Sequence, residues 1–166
     1  MTAPVVMNVD SVAEIPRIMG DHWGGHFKPL TPAMKEKGGK LGVNLMRVAK
    51  GRVAVPFHAH QREDEVFYVL EGRGVLRYGE ELIDLRPGDC VSCPAGTGVA
   101  HQITNTGEAD LLYLAIGTND ADEVCVYPDS GKVLVRSLRR IGWLENVEYM
   151  DGEPERPKIL DLIAGG

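Results

Sequence analysis

Cysteine is scarce in this sequence, with three among 166 residues, at positions 90, 93 and 125. So few thiols, odd in number, cannot build a disulfide framework; Cys90, Cys93 and Cys125 are expected to be free, and the chain to be cytoplasmic. Long apolar runs are missing as well. Nothing approaches the roughly 20 residues that span a bilayer, and no basic segment precedes the short apolar stretch near the start, so neither a membrane span nor a secretory signal is expected. Positive charge is in deficit: Lys and Arg total 18 against 24 for Asp and Glu, a formal net charge of −6. That balance disfavours nucleic acid and anionic lipid as partners, because both are bound by releasing counterions to clustered cations. Helix formers do not dominate either. With 20 Gly and 10 Pro, turn chemistry is too dense for an all-α bundle and suits many short strands.

What is present is an ordinary globular composition, 43% hydrophobic and 25% charged. A chain of this length is expected to form one compact domain around one core. Residues 1–40 are punctuated by Gly20, Gly24, Gly25, Pro29, Pro32, Gly38 and Gly39, and read as an irregular arm with one short helix. From Leu41 the character changes to short β-rich segments separated by turns. Strands are expected near 41–48 and at 53–60, 65–71, 74–78, 81–86, 89–93, 99–104, 110–117, 123–128 and 132–137. The assignment is therefore an arm at 1–40, a β-barrel at 41–137 and a C-terminal arm at 138–166. Strands in this number, with this punctuation, make a sandwich or barrel whose edges are closed or covered by a partner.

The chemistry concentrates in Phe57-His58-Ala59-His60-Gln61-Arg62-Glu63-Asp64-Glu65-Val66-Phe67. Histidines at i and i+2 on a strand share a face, about 6.6 Å apart along it, and their rings can converge on one ion. Glu65 lies five residues past His60, an odd offset that would place it on the opposite face of a straight strand. The chain must therefore turn through Gln61–Asp64 and return with Glu65, Phe67 and Val69 on one face. A carboxylate among such apolar neighbours is costly to bury unless a cation accompanies it. A third histidine, His101, follows the Gly/Pro loop Pro94-Ala95-Gly96-Thr97-Gly98. Three neutral imidazoles and a carboxylate leave up to two positions open on a six-coordinate ion.

These residues resemble the two motifs of the cupin superfamily. The first, Gly-x5-His-x-His-x(3–4)-Glu-x6-Gly, is approached by Gly51, His58, His60, Glu65 and Gly72; the second, Gly-x5-Pro-x-Gly-x2-His-x3-Asn, by Gly88, Pro94, Gly98, His101 and Asn105. Gly51 stands one residue further from His58 than the motif has it, and two extra residues separate Pro94 from His101. An even insertion keeps pleat parity, so His101 can still point inward, while the enlarged loop Ala95–Gly98 is expected to reshape the mouth of a pocket. The resemblance, over roughly 41–118, implies an all-β double-stranded β-helix, a jelly-roll barrel. It also implies one divalent transition metal (Zn, Fe, Mn or Ni) held by His58, His60, Glu65 and His101. The arm around His22-Trp23-Gly24-Gly25-His26, taken with Pro94–His101, is similar to that of small bacterial cupins that are mostly uncharacterised.

The neighbouring polar residues are read as ordinary. Glu63 and Asp64 are expected to be solvated turn residues, Cys90 and Cys93 buried small hydrophobes, and His22 and His26 surface or packing side chains. Arg136, Arg139 and Arg140 with Lys132 are read as a solvated edge strand. The functional expectation is a metal-dependent isomerase or epimerase acting on a small sugar or sugar phosphate, with Tyr68 and the carboxylates near Glu65 as weak candidates for its base. Its alternatives are an iron(II)-dependent dioxygenase and a non-catalytic metabolite-binding protein. Small barrels with exposed edges often pair, so a homodimer is expected.

Overall fold

A computed structural model describes residues 4–164; the extreme N-terminus read above for a targeting signal begins outside that range. In chain order the strands are β1 (Ile15–Met19), β2 (Trp23–Pro29), β3 (Leu41–Val48), β4 (Ala59–His60), β5 (Glu65–Glu71), β6 (Gly74–Tyr78) and β7 (Glu81–Leu85). They continue with β8 (Cys90–Cys93), β9 (His101–Asn105), β10 (Leu111–Thr118), β11 (Val124–Tyr127), β12 (Lys132–Val135) and β13 (Arg140–Trp143). Of two short α-helices, α1 (Pro32–Glu36) lies between β2 and β3 and α2 (Lys158–Ala164) follows β13. The strands form a six-stranded sheet β1-β2-β3-β10-β5-β8, a four-stranded sheet β13-β12-β11-β4 and a three-stranded sheet β7-β6-β9. This is the all-β jelly-roll barrel that the motifs imply.

Side-chain alternation explains the core. Along β9, His101, Ile103 and Asn105 are buried while Gln102 and Thr104 are half-exposed, and along β10 Leu111 and Tyr113 point inward. On β5, Phe67 and Val69 are buried and Tyr68 and Leu70 exposed. Of these, Phe67, Val69, Ile103, Leu111 and Tyr113 meet Val48, Leu76 and Leu85 in one apolar cluster, as a period of two on each strand requires. Gly72 carries the β5–β6 turn at φ +83°, where a Cβ would come within 2.4 Å of the Asp110 carbonyl; no other residue fits. Asn105 closes the far end, its amide donating to the Val48 and Ala109 carbonyls at 2.7 and 2.9 Å.

The N-terminal segment differs from the irregular arm expected of it. Residues 15–29 form a β1–β2 hairpin that extends the six-stranded sheet through pairing of β2 with β3. Glycines that would break a helix are tolerated here: at Gly25 a Cβ would meet the Arg47 carbonyl at 2.6 Å, so the missing side chain lets β2 lie against β3. The 53–60 segment is less regular than a full strand. Only Ala59–His60 pairs continuously, and Val53 and His58 make isolated bridges. β13 extends ordered pairing to Trp143, past the expected last strand. Beyond it residues 144–164 are exposed throughout. No helix among the described residues is long and apolar enough to cross a membrane.

Candidate metal centre at the barrel mouth

His58 and His101 face each other across an antiparallel bridge, His58 donating from its backbone to the His101 carbonyl at 3.2 Å and His101 back at 2.8 Å. The main chain thus fixes the approach of their rings, whose centroids are 4.5 Å apart. His60 sits on β4 opposite Cys125, and the turn at 61–64 brings Glu65 back beneath all three. The Nε2 atoms of His58, His60 and His101 lie 3.7, 3.3 and 2.8 Å from Glu65 Oε2. One ligand atom from each of the four residues falls within 4.8 Å of all the others.

Two of the rings have their tautomer set. His58 Nδ1 is 2.8 Å from the Pro56 carbonyl, which can only accept, so the proton sits on Nδ1 and the Nε2 lone pair faces Glu65. His60 Nδ1 is 3.3 Å from Glu123 Oε1, with the same consequence. His60 Nε2 and His101 Nδ1 are buried without hydrogen-bond partners. An orphaned buried nitrogen costs about 1–3 kcal/mol, and an ion at the convergence point offsets that cost for His60. Three imidazole nitrogens and one carboxylate oxygen suit a divalent first-row ion. The residues present fit one.

The electrostatics agree. Burial alone would raise the Glu65 pKa, yet the three imidazoles gathered around it, led by His101 with Nε2 at hydrogen-bond distance, hold it far below the usual carboxylate range. Burial depresses the His101 pKa despite Glu65. It acts on His60 in the same direction but is outweighed by Glu65, Glu123 and Glu63, so that pKa is raised. Four donors that share charge this way, in a half-enclosed space, are a group that could hold a cation.

Behind His60 lies a group of residues that the sequence reading missed. Glu123 is fully buried and accepts from the backbone of Gln61 and Arg62, both at 3.0 Å, as well as from His60. Glu63, expected to be a solvated turn residue, is only 5% exposed. It is clamped by both Arg136 guanidinium nitrogens and accepts from Asp120 N at 2.7 Å. The turn folds inward because β12 places a guanidinium opposite it, so Arg136 is an ion-pair partner rather than a free edge charge; Glu63 raises its pKa. Asp64 is exposed as expected and accepts from Ala95 N at 2.9 Å.

Above the four residues opens a cavity of about 930 Å³, walled by Arg17, Ile18, Met19 and Trp23 of the β1–β2 hairpin and by Cys125, Tyr127, Lys132, Leu134 and Arg136 of the four-stranded sheet. The Ala95–Gly98 loop does not line it. Its backbone is pinned instead to His60 and Asp64, with Gly96 N donating to the His60 carbonyl at 2.9 Å. Tyr68 is absent from the lining because the β5 pleat turns it outward, where it is 40% exposed. Cys93 is buried, its thiol pushed up to about 12 by burial, whereas Cys90 is exposed, contrary to expectation, because it stands on the opposite pleat of the edge strand β8. His22 is exposed and His26 half-buried, and neither joins the cluster.

Comparison with known proteins places this geometry. Residues 44–117 match the Cupin domain family. A sugar phosphate isomerase of the cupin superfamily from Silicibacter pomeroyi superposes with a TM-score of 0.70 at 27% identity, covering 90% of this chain and 96% of that one. A proposed sugar phosphate isomerase from Acidithiobacillus ferrooxidans gives a TM-score of 0.65 at 30% identity, covering 80% of this chain and 81% of that one. An oxalate-binding protein from Thermotoga maritima is 36% identical over 63 residues, 38% of this chain and 50% of that protein. The chain spans about half the length of the curated relatives it matches.

Proposed function

The chain belongs to the cupin superfamily, and on that premise we propose that it is a metal-dependent isomerase or epimerase of a small sugar phosphate, with His58, His60, Glu65 and His101 as its metal ligands. One observation carries the reading. The cavity, lined by His58, His60 and Glu65 of the four clustered residues, is also lined by Arg17 and Lys132, and neither forms an ion pair among the described residues; each lies only over an aromatic ring, Phe27 and Tyr127 respectively. Uncompensated cations are unexpected in a chain of net charge −6, and they suit the anionic end of a ligand whose other end carries the hydroxyl and carbonyl oxygens that a hard or borderline ion accepts.

When bound, a divalent ion supplies Lewis acidity toward a carbonyl oxygen. The chain's own groups position and enclose the substrate around that oxygen. Arg17 and Lys132 orient the phosphate away from the four ligands. Trp23, Ile18 and Leu134 exclude water from the sugar ring or chain. Tyr127 stacks on His58 with ring centroids 6.1 Å apart, and burial raises the pKa of its phenol. It therefore stays protonated and donates to a substrate oxygen.

The similarity to an oxalate-binding protein, together with the engagement of Glu63 by Arg136 and of Asp129 by Arg77 at 2.7 Å, favours a second reading, a non-catalytic binder of a small anionic metabolite. One experiment separates them. Protein loaded with Mn, Zn, Ni or, anaerobically, Fe is incubated in D₂O with a panel of aldose and ketose phosphates. Interconversion, with deuterium entering the carbon next to the carbonyl, is expected. Thermal stabilisation by ligands without exchange at any carbon would replace the isomerase with the binder, and oxygen uptake by the iron form would replace it with a dioxygenase.

A further inference from the structure

Beyond β13 the chain carries an arm with no place of its own to rest. Leu144, Val147, Tyr149 and Met150 are all more than half exposed, alternating with Glu145, Glu148 and Asp151. From 144 to 164 there are six acidic residues and two basic ones. An apolar segment this exposed is expected to be covered. Close by in sequence, 132–140 holds Lys132, Arg136, Arg139 and Arg140 and no acid. At the β12–β13 turn these residues build a hollow of about 220 Å³ whose floor is Leu134, Val135 and Ile141 and whose rim is Arg136, Arg139 and Arg140. Arg139 and Arg140 form no ion pair among the described residues, and neither do Glu145 and Glu148.

We propose that the acidic, apolar arm of one copy docks in the arginine-rimmed hollow of a second copy, and reciprocally, giving a homodimer with exchanged arms. The occupant follows from complementarity. The arm offers apolar side chains interleaved with carboxylates, and the hollow offers an apolar floor beside the unpaired guanidiniums of Arg139 and Arg140, Arg136 being held by Glu63. Both halves belong to the same chain, which is the condition for a closed two-fold interface. The arm does not reach its own hollow in the structure. β13 pairs Arg140 with Val135 and Trp143 with Lys132, so the arm departs from the end of the hairpin opposite the hollow, about 10 Å away along the strand. Leu134 and Arg136 also line the mouth cavity, so a docked arm becomes the outer rim of the partner's site.

Charge reversal tests this on the full chain. Light scattering after size exclusion at micromolar concentration is expected to give about twice the 18.1 kDa chain mass. Arg139→Glu with Arg140→Glu, or Glu145→Lys with Glu148→Lys, is expected to raise the dimer dissociation constant at least about tenfold, since like charges then face each other. Mixing the two variants restores both contacts and is expected to return the dimer, whereas neither variant recovers alone. Unchanged circular dichroism and melting of each variant keep a folding defect apart from an interface defect. A wild-type monomer, a variant that dimerises like wild type, or a mixture that stays dissociated while both variants are folded would each overturn the proposal.

Discussion

Replacing Glu123 by glutamine tests whether this buried carboxylate presents His60 to the proposed metal or only ties down the turn. Glu123 spreads three bonds over two oxygens: Oε1 takes Gln61 N and His60 Nδ1, and Oε2 takes Arg62 N. Glutamine has one acceptor oxygen. Its amide nitrogen must then face either the Arg62 N–H or the Gln61 N–H and His60 pair, so at least one charge-assisted bond of about 1.5–3 kcal/mol is lost from the fold. If the amide oxygen stays toward His60, the ring keeps its tautomer but its Nε2 becomes a weaker base; if it flips, Nδ1 loses its acceptor. Either way, changes to residues that orient a histidine ligand in this manner cost about 10–100-fold in metal affinity, or about 1.4–2.8 kcal/mol. The two quantities are measured separately, stability by urea unfolding of metal-free protein and affinity by competition with a chromophoric chelator. A Glu123→Gln protein that loses stability by the full amount yet binds metal within about twofold of wild type would show that the residue only braces the turn.

His58→Ala and His101→Ala each remove a ring from the four-residue cluster, and elemental analysis after loading is expected to show stoichiometric metal in the wild type and little in either variant. Arg136→Ala strands the Glu63 carboxylate; with the guanidinium side chain 39% exposed, a loss of about 2 kcal/mol in urea stability is expected, less than the roughly 3–5 of a fully enclosed pair. Gly24→Ala places a Cβ 1.7 Å from the Arg17 carbonyl at φ +94°, so the β1–β2 hairpin must shift; tryptophan fluorescence from Trp23 should change and ligand affinity fall while metal binding persists. With pH, the depressed Glu65 pKa gives stability that is complete above the unfolded value of about 4.3 and lost as acid drives the pH down toward the folded one. The opposite shifts of His60 and His101 oppose each other near neutrality. Urea midpoints of metal-free protein should therefore be level from pH about 6 to 8 and drop below about 4.3, while metal affinity climbs as the raised His60 pKa is passed.

Much of the site could be read from spacing because it is local in sequence. The i, i+2 histidines and the parity argument for Glu65 need only the pleat, and His101 followed from a second motif. Glu123 was not legible. It reaches His60 from 63 residues away, and a glutamate before a β-rich segment looks the same whether it is buried or solvated. Glu63 and Arg136, 73 residues apart, were misread singly for the same reason: each is polar in a polar run, and only the fold shows that they meet. The β1–β2 hairpin was hidden by its glycines, which usually break strands but here let β2 approach β3. Tyr68 was the reverse error, since residue type suggested chemistry and the pleat sent it outward.

The four clustered side chains all come from residues 58–101, whereas the walls above them come from 17–24 and 125–136 together with the 54–57 approach. The hairpin that forms one wall sits at the end of its sheet, paired with β3 and bridged at Trp23 to Val53. Substitutions at Ile18, Met19 or Lys132 can therefore change which molecule is admitted without moving a single donor atom. Such a division lets one barrel acquire new ligands while its four-residue cluster stays constant, and it makes those wall positions the place to engineer selectivity.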